Sequence, residues 1–233
     1  MTTTARAWLV ERDPEFAEAL EEYLDAARSA PALDEKTRAL LQLAHDASVT
    51  VLDGDGIREH AERARAAGAE ESEILGIIEV VTLISIHSLS TGLPLLYGPD
   101  EHPRPPELLG GYWDDFEARS PGFHGTLAAV LPDLFAAYRR MGSVLWKRLD
   151  TRLRELALIV ADLSTSHLFA SGAALHISAA LRAGATREEI AAAIALAVPC
   201  AERTVQTAVT ALTVPGTRPD VRARNLDDEG GLR

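Results

Sequence analysis

The sequence is poor in the residues on which several classes of protein depend. It contains one cysteine, Cys200, which excludes an intrachain disulfide, a Cys-x-x-Cys redox pair and a thiolate zinc cluster. No segment reaches the roughly 18 uninterrupted apolar residues of a membrane span. The N-terminal residues also lack the apolar stretch of a signal peptide. These absences predict a cytoplasmic protein that does not use a membrane as its partner.

Basic residues are scarce relative to acidic ones. The chain has 23 lysines and arginines against 35 aspartates and glutamates, which gives a formal net charge of -12. Because this charge repels phosphate backbones and anionic lipid, nucleic acid and membrane surfaces are poor candidate partners. An acidic substrate would need a local basic pocket. With 233 residues, 47% of them hydrophobic, the chain can form the core of one large domain or two small ones.

The chain contains an internal repeat at an offset of 116 residues. Residues 33–74 align with 149–190 without a gap, and 15 of the 42 aligned positions are identical. The identical pairs include Asp34/Asp150, Arg38/Arg154, Asp46/Asp162, Gly56/Gly172, His60/His176, Gly68/Gly184 and Glu73/Glu189. A repeat unit of about half the chain determines the architecture, so it takes precedence over other fold signals.

Each half has the apolar spacing of successive helices. Asp34 and Asp150 are predicted N-caps of helices that end near Ala47 and Ser164. The helices that carry the repeated histidines are predicted over 55–67 and 171–183. No strand pattern is present, and the sequence predicts an all-α fold.

Turn signals separate these helices from the next ones. Gly68 and Gly184 occupy positions where a helix typically ends in a left-handed residue. Thr186 and Glu189 form a Thr-x-x-Glu capping box that starts a further, very apolar helix. Helices of this apolar character are expected to be buried between neighbours.

A proline-rich segment divides the two halves. We therefore predict a first repeat over 1–96, a linker over 97–126, a second repeat over 127–215 and a frayed tail over 216–233. The aromatic residues of the linker fit either a segment that covers a cavity or a plain linker with some aromatic packing.

The stretch "LDTRLRELALIVADL", followed by His176 and "AGATREEI" and then by an apolar helix, resembles the carboxymuconolactone decarboxylase family, which includes the alkylhydroperoxidase D-type proteins. The resemblance is stronger over 149–200 than over 33–95. It implies two tandem helical repeats related by a pseudo-twofold, the assembly of copies into a homo-oligomer and a small-molecule substrate.

The peroxidase members of this family use a Cys-x-x-Cys pair just before the histidine. Here those positions hold Phe169 and Gly172 in the second half, and Asp53 and Gly56 in the first. Because a peroxidatic thiolate needs a second thiol to resolve it, thiol peroxidase activity is not expected. The resemblance therefore implies the decarboxylase branch of the family, which uses no thiol.

The resemblance assigns site residues in the second half. His176 is the predicted acid–base group, and small residues on its helix face leave room for a ligand or for a closely packed helix. Glu155 matches the family glutamate that orients the histidine or relays protons, although an exposed glutamate at a helix start is an equal alternative. Its counterpart in the first half is Ala39, so the sequence predicts that His60 lacks such a carboxylate.

Four further residues are weaker candidates. His167 is predicted as a second acid–base group, while His60, His87 and Arg154 are predicted to bind substrate. A packed core histidine and solvated surface arginines are the structural alternatives. No His-x-x-x-His or Glu-x-x-His spacing supports a metal site, so none is predicted.

The function that these residues favour is a cofactor-independent enzyme that acts by general acid–base proton transfer, with or without decarboxylation. Its substrate would be a small lactone, keto acid or polycyclic metabolite that supplies its own electron sink. The alternative is a non-catalytic ligand-binding or assembly protein that retains the fold.

Overall fold

The computed structural model describes residues 2–101, 103, 121–145 and 147–213, and it contains no strand among them. The all-α prediction is confirmed for this part of the chain. The described helices, including two 3₁₀ segments η1 and η2, are α1 Thr3–Arg12, α2 Pro14–Ser29, α3 Glu35–Ala47, α4 Gly54–Ala66, α5 Glu71–Thr82, η1 Leu83–Ile86, α6 His87–Glu101, α7 His124–Val130, α8 Pro132–Leu145, α9 Thr151–Asp162, α10 Ala170–Arg182, α11 Arg187–Ala195, η2 Val198–Cys200 and α12 Ala201–Thr213.

The predicted helix starts are confirmed at atomic detail. The Asp34 carboxylate accepts a hydrogen bond from the backbone N–H of Thr37 at 2.8 Å, and Asp150 accepts one from Leu153 at 2.9 Å. These bonds satisfy backbone donors that a helix N-terminus leaves without a partner. Helix α9 ends at Asp162, two residues before the predicted end, because the Ser-Thr-Ser run that follows favours a turn.

The predicted helix ends are also confirmed. Gly68 has a φ of 87° and Gly184 has a φ of 91°, in the left-handed region where glycine avoids the strain of a side chain. The two histidine helices, α4 and α10, each begin and end one residue earlier than predicted. The capping box is present, since Thr186 and Glu189 each accept a hydrogen bond from the backbone N–H of the other.

Two buried helices, α3 and α9, form the centre of the core and pack against each other. Helix α3 also contacts α4 and α5, and α9 contacts the corresponding helices α10 and α11. The two histidine helices therefore have equivalent neighbours. Because α3 and α9 are covered on almost every side, a polar side chain on either of them enters the core and needs a partner there.

The described chain forms two compact units. One contains the described residues of Ala26–Val198, including α3, α9 and both histidine helices, and the other combines the described N-terminal residues up to Asp25 with those from Pro199 to Thr213. Helix α1, which the sequence did not predict because it has little amphipathic pattern, packs against α12 within the second unit. Most of the predicted linker 97–126 and all of the predicted tail 216–233 lie outside the described residues.

One helical run, Glu71–Gly98, is long and apolar enough by length and composition to cross a membrane. Buried core helices of soluble proteins pass the same test, and 39% of its most apolar stretch is buried inside the protein. The run also carries Glu79, whose carboxylate forms an ion pair with Arg148 at 2.9 Å, and His87.

Candidate active site

The second repeat pairs its histidine with a buried carboxylate. Glu155 lies on α9, where the packing of that helix leaves it 7% exposed. Its Oε2 atom lies 2.7 Å from Nδ1 of His176 on the neighbouring helix α10. The prediction that Glu155 is partly buried and must find a partner is confirmed, and the alternative of an exposed glutamate at a helix start is excluded.

The Glu155–His176 bond fixes which ring nitrogen can take part in proton transfer. An ionised carboxylate can only accept hydrogen bonds, so Nδ1 of His176 carries the donated proton. In the neutral ring, Nε2 then holds the free lone pair. The histidine is therefore oriented with its basic nitrogen directed away from Glu155.

Arg154 binds the other oxygen of the same carboxylate. Its Nη2 atom lies 3.2 Å from Glu155 Oε1, and its side chain is 14% exposed. In this structure the guanidinium therefore balances the charge of Glu155. The binding of a substrate carboxylate by Arg154 stays a prediction.

A second buried carboxylate faces the free nitrogen of His176. Oδ2 of Asp162 lies 4.0 Å from His176 Nε2, a separation too long for a hydrogen bond. Asp162 is 0% exposed, and neither of its oxygens has a hydrogen-bond partner among the described residues. Burial raises the pKa of Asp162 to about 7, although the nearby His176 acts in the opposite direction.

Gly172 makes room for this carboxylate. A Cβ atom at position 172 would lie 2.5 Å from Asp162 Oδ2 and would also collide with the ring of Phe169. Phe169 and Gly172 are the positions that hold the two cysteines in the peroxidase pattern. In this chain they are part of the packing around Asp162.

Two further histidines complete the cluster. His87 begins α6, and its Nδ1 atom lies 2.8 Å from Nε2 of His167, which belongs to the turn before α10. The ring of Phe169 stacks on His87 with 4.0 Å between centroids. Burial, with smaller contributions from His167 and His176, lowers the pKa of His87 to about 3, and burial also lowers the pKa of His167. Both rings are therefore neutral at neutral pH.

The first repeat uses the equivalent helices differently. Nδ1 of His60 lies 2.7 Å from Asp46 Oδ2, and Nδ1 of His45 lies 2.9 Å from Asp46 Oδ1. Ala39 leaves His60 without an equivalent of Glu155, as predicted, but the ring has another carboxylate partner that the sequence did not predict. Asp46 lies in the last turn of α3, at the position that aligns with Asp162 in α9, and it supplies the carboxylate that Ala39 cannot.

These two hydrogen bonds decide the charge state of Asp46. Burial alone would raise its pKa, but the bonds from His45 and His60 outweigh this effect and hold the pKa below its usual value. Asp46 is thus a compensated buried carboxylate, whereas Asp162, its repeat counterpart, is not. The binding of substrate by His60 stays a prediction.

The structure therefore brings four of the six predicted site residues into one cluster: His176, Glu155, His87 and His167, with Arg154 at its edge and His60 in the other repeat. Sequence reasoning did not assign a site role to Asp162, Asp46 or His45. The sequence did contain a signal for the two aspartates, because the identical pair Asp46/Asp162 ends two apolar helices. A carboxylate at such a buried position is costly unless it has a partner, so its presence in both repeats indicates a role.

Comparisons with known proteins show which family the chain is similar to. The sequence model of the carboxymuconolactone decarboxylase family matches the chain twice, over residues 14–85 and 132–214. One similar solved structure is the crystal structure of a proposed gamma-carboxymuconolactone decarboxylase subunit from Burkholderia xenovorans LB400. The two sequences are 30% identical, the match covers 91% of this chain and 90% of the Burkholderia chain, and the TM-score is 0.75. No curated protein matches the chain.

Both matched regions contain a histidine helix and the buried helix on which it packs. The chain therefore belongs to the carboxymuconolactone decarboxylase family, and it carries two tandem copies of the family domain.

Proposed function

We propose that the chain is an enzyme that catalyses general acid–base proton transfer, with or without loss of carbon dioxide, on a small lactone, keto acid or polycyclic metabolite. The observation that carries this proposal is the 2.7 Å bond between Glu155 Oε2 and His176 Nδ1, which directs Nε2 of His176 away from its partner. Family membership and the proposed activity of the related Burkholderia protein support the substrate class.

His176 is the proposed catalytic residue. When a β-keto acid or a related lactone loses a carboxyl group or a proton, it leaves an enolate-like anion that must be stabilised and then protonated at carbon. In proton exchange, Nε2 of neutral His176 takes the proton from carbon and returns it. In decarboxylation, Nε2 takes the proton of the carboxylic acid as carbon dioxide leaves and then delivers that proton to carbon. The substrate supplies the electron sink, so the proton steps need no organic cofactor.

Glu155 is the proposed positioning residue. Its carboxylate holds the His176 ring in one tautomer and stabilises the imidazolium that forms when Nε2 accepts a proton. Arg154 holds the far oxygen of Glu155 and so fixes the orientation of this carboxylate.

The test is proton exchange at carbon. A panel of small β-keto acids and unsaturated lactones is incubated with the protein in D2O, and deuterium incorporation and carbon dioxide release are followed by NMR. We expect at least one compound to exchange or decarboxylate with wild type and not with His176→Ala. Compounds that bind without exchange or turnover would instead favour the ligand-binding alternative.

A separate prediction concerns the single thiol. Cys200 is half-buried in η2, and no second cysteine exists to resolve a sulfenic acid. We expect no peroxide-dependent turnover with thiol reductants, and we expect Cys200→Ser to retain the activity found in the exchange assay. Peroxide turnover that disappears in Cys200→Ser would place the chain in the peroxidase branch.

A further inference from the structure

The Asp162 carboxylate is a buried acid without a hydrogen-bond partner among the described residues. A carboxylate in this position is costly unless it takes up a proton or pairs with a cation. Around it lie His87, at 3.7 Å from Oδ1, and His176, at 4.0 Å from Oδ2. The first repeat resolves the same problem by giving Asp46 two imidazole donors, which Asp162 lacks.

The side chains of His87, His167 and Asp162 place possible metal-ligand atoms close together. One ring nitrogen of His87, one of His167 and one oxygen of Asp162 all lie within 4.8 Å of one another. Tetrahedral coordination with bonds of about 2.0–2.2 Å requires ligand atoms about 3.3 Å apart. The observed separations of 2.8 Å between the two rings and 3.7 Å between His87 and Asp162 bracket this value.

We propose that His87, His167 and Asp162 bind one divalent first-row transition metal ion. Two imidazoles and one carboxylate are ligands of zinc and of non-haem iron, whereas magnesium and calcium prefer an all-oxygen set. In the present contact one ring donates its proton to the other, and a change of tautomer moves that proton to the far nitrogen of the donating ring, so both facing nitrogens become free to coordinate.

The three ligands come from different elements, which is why the sequence spacing did not indicate them. His87 begins α6, Asp162 ends α9 and His167 lies in the turn that follows. With three protein ligands the ion keeps an open coordination position, and the shared Asp162 places it next to His176. Metal binding stands on this geometry alone, and only the use of the ion in turnover rests on the proposed function.

The experiment measures metal binding without any substrate. The full chain, free of affinity tags and treated with a chelator, is titrated with Co²⁺, and the ligand-field absorption bands and the heat of binding are recorded. We expect one equivalent of Co²⁺ to bind and Zn²⁺ to displace it. Loss of an outer partner of a metal ligand costs about 10- to 100-fold in affinity. Removal of a ligand itself, in Asp162→Asn or His167→Ala, is therefore expected to cost at least about 100-fold.

Asp46→Asn is the matched control, because it makes the same change at the equivalent position of the first repeat. We expect it to bind Co²⁺ like wild type, with circular dichroism confirming that every variant remains helical. The inference is overturned if wild type binds no Co²⁺, if Asp162→Asn binds it as tightly as wild type, or if Asp46→Asn is the variant that loses the ion.

The outcome is separable from that of the proposed function. A protein that binds Co²⁺ through Asp162 but shows no proton exchange supports the metal site and counts against the proposed function. A protein that exchanges protons through His176 but binds no ion supports the proposed function and counts against the metal site.

Discussion

Replacing His176 with alanine is expected to lower kcat by about 10²- to 10⁴-fold, which is the usual contribution of a general acid–base group. His60→Ala is expected to cost far less. In the first repeat the Asp46 carboxylate is shared between His45 and His60, and Val51 stands where the second repeat has His167. His60 therefore has neither a carboxylate of its own nor a histidine at the position of His167.

The comparison uses both variants under the same conditions, with kcat measured on a compound found in the exchange assay. Circular dichroism shows whether each variant remains folded. Equal losses at the two histidines would indicate two equivalent sites or one composite site. A larger loss at His60 would place the chemistry in the first repeat.

Asp46→Ala is expected to destabilise the protein more than Asp162→Ala, by about 2 kcal/mol or more. The substitution at 46 removes the acceptor for two buried or half-buried imidazole groups, and each buried donor left without a partner costs about 1–3 kcal/mol. The Asp162 carboxylate accepts no hydrogen bond from a described residue, so its removal orphans no donor there. Both substitutions create a similar void at the end of an equivalent helix, so the cavity contribution largely cancels.

The measurement is thermal unfolding of metal-free protein. For a chain of this size, a difference of 2 kcal/mol corresponds to about 4–8 °C in Tm. Equal stability losses would show that the hydrogen bonds to Asp46 contribute little beyond packing. A larger loss at Asp162 would show that this carboxylate has a partner that stabilises the fold.

Local chemistry made much of the fold predictable from sequence. An aspartate that caps a helix, a glycine with a positive φ and a Thr-x-x-Glu box each act over a few residues, so the pattern at Asp34, Gly184 and Thr186 contains the information. The gapless repeat then indicated that both halves use the same helices. Helix α1 was missed because its short sequence lacks an amphipathic stripe.

The candidate site was predictable only where the family pattern reached it. Glu155 and His176 occupy positions of the family pattern, and their side chains form a hydrogen bond in the structure. The contact between His87 and His167, 80 residues apart, depends on how the helices pack. The partner of His60 could not be predicted from the repeat, because Ala39 stands at the position of Glu155 and a side chain from the end of the same helix, Asp46, contacts the ring instead.

The most direct test of the central claim, that Glu155 and His176 act as one acid–base unit, is a double-mutant cycle of kcat with Glu155→Gln, His176→Ala and the double variant. Because Glu155 acts only through the His176 ring, its substitution should lower kcat in wild type and have almost no further effect once His176 is absent. The account therefore predicts a double variant as slow as His176→Ala alone. If Glu155→Gln instead lowered kcat by the same factor in both backgrounds, the two residues would act independently and the proposed pairing would be wrong.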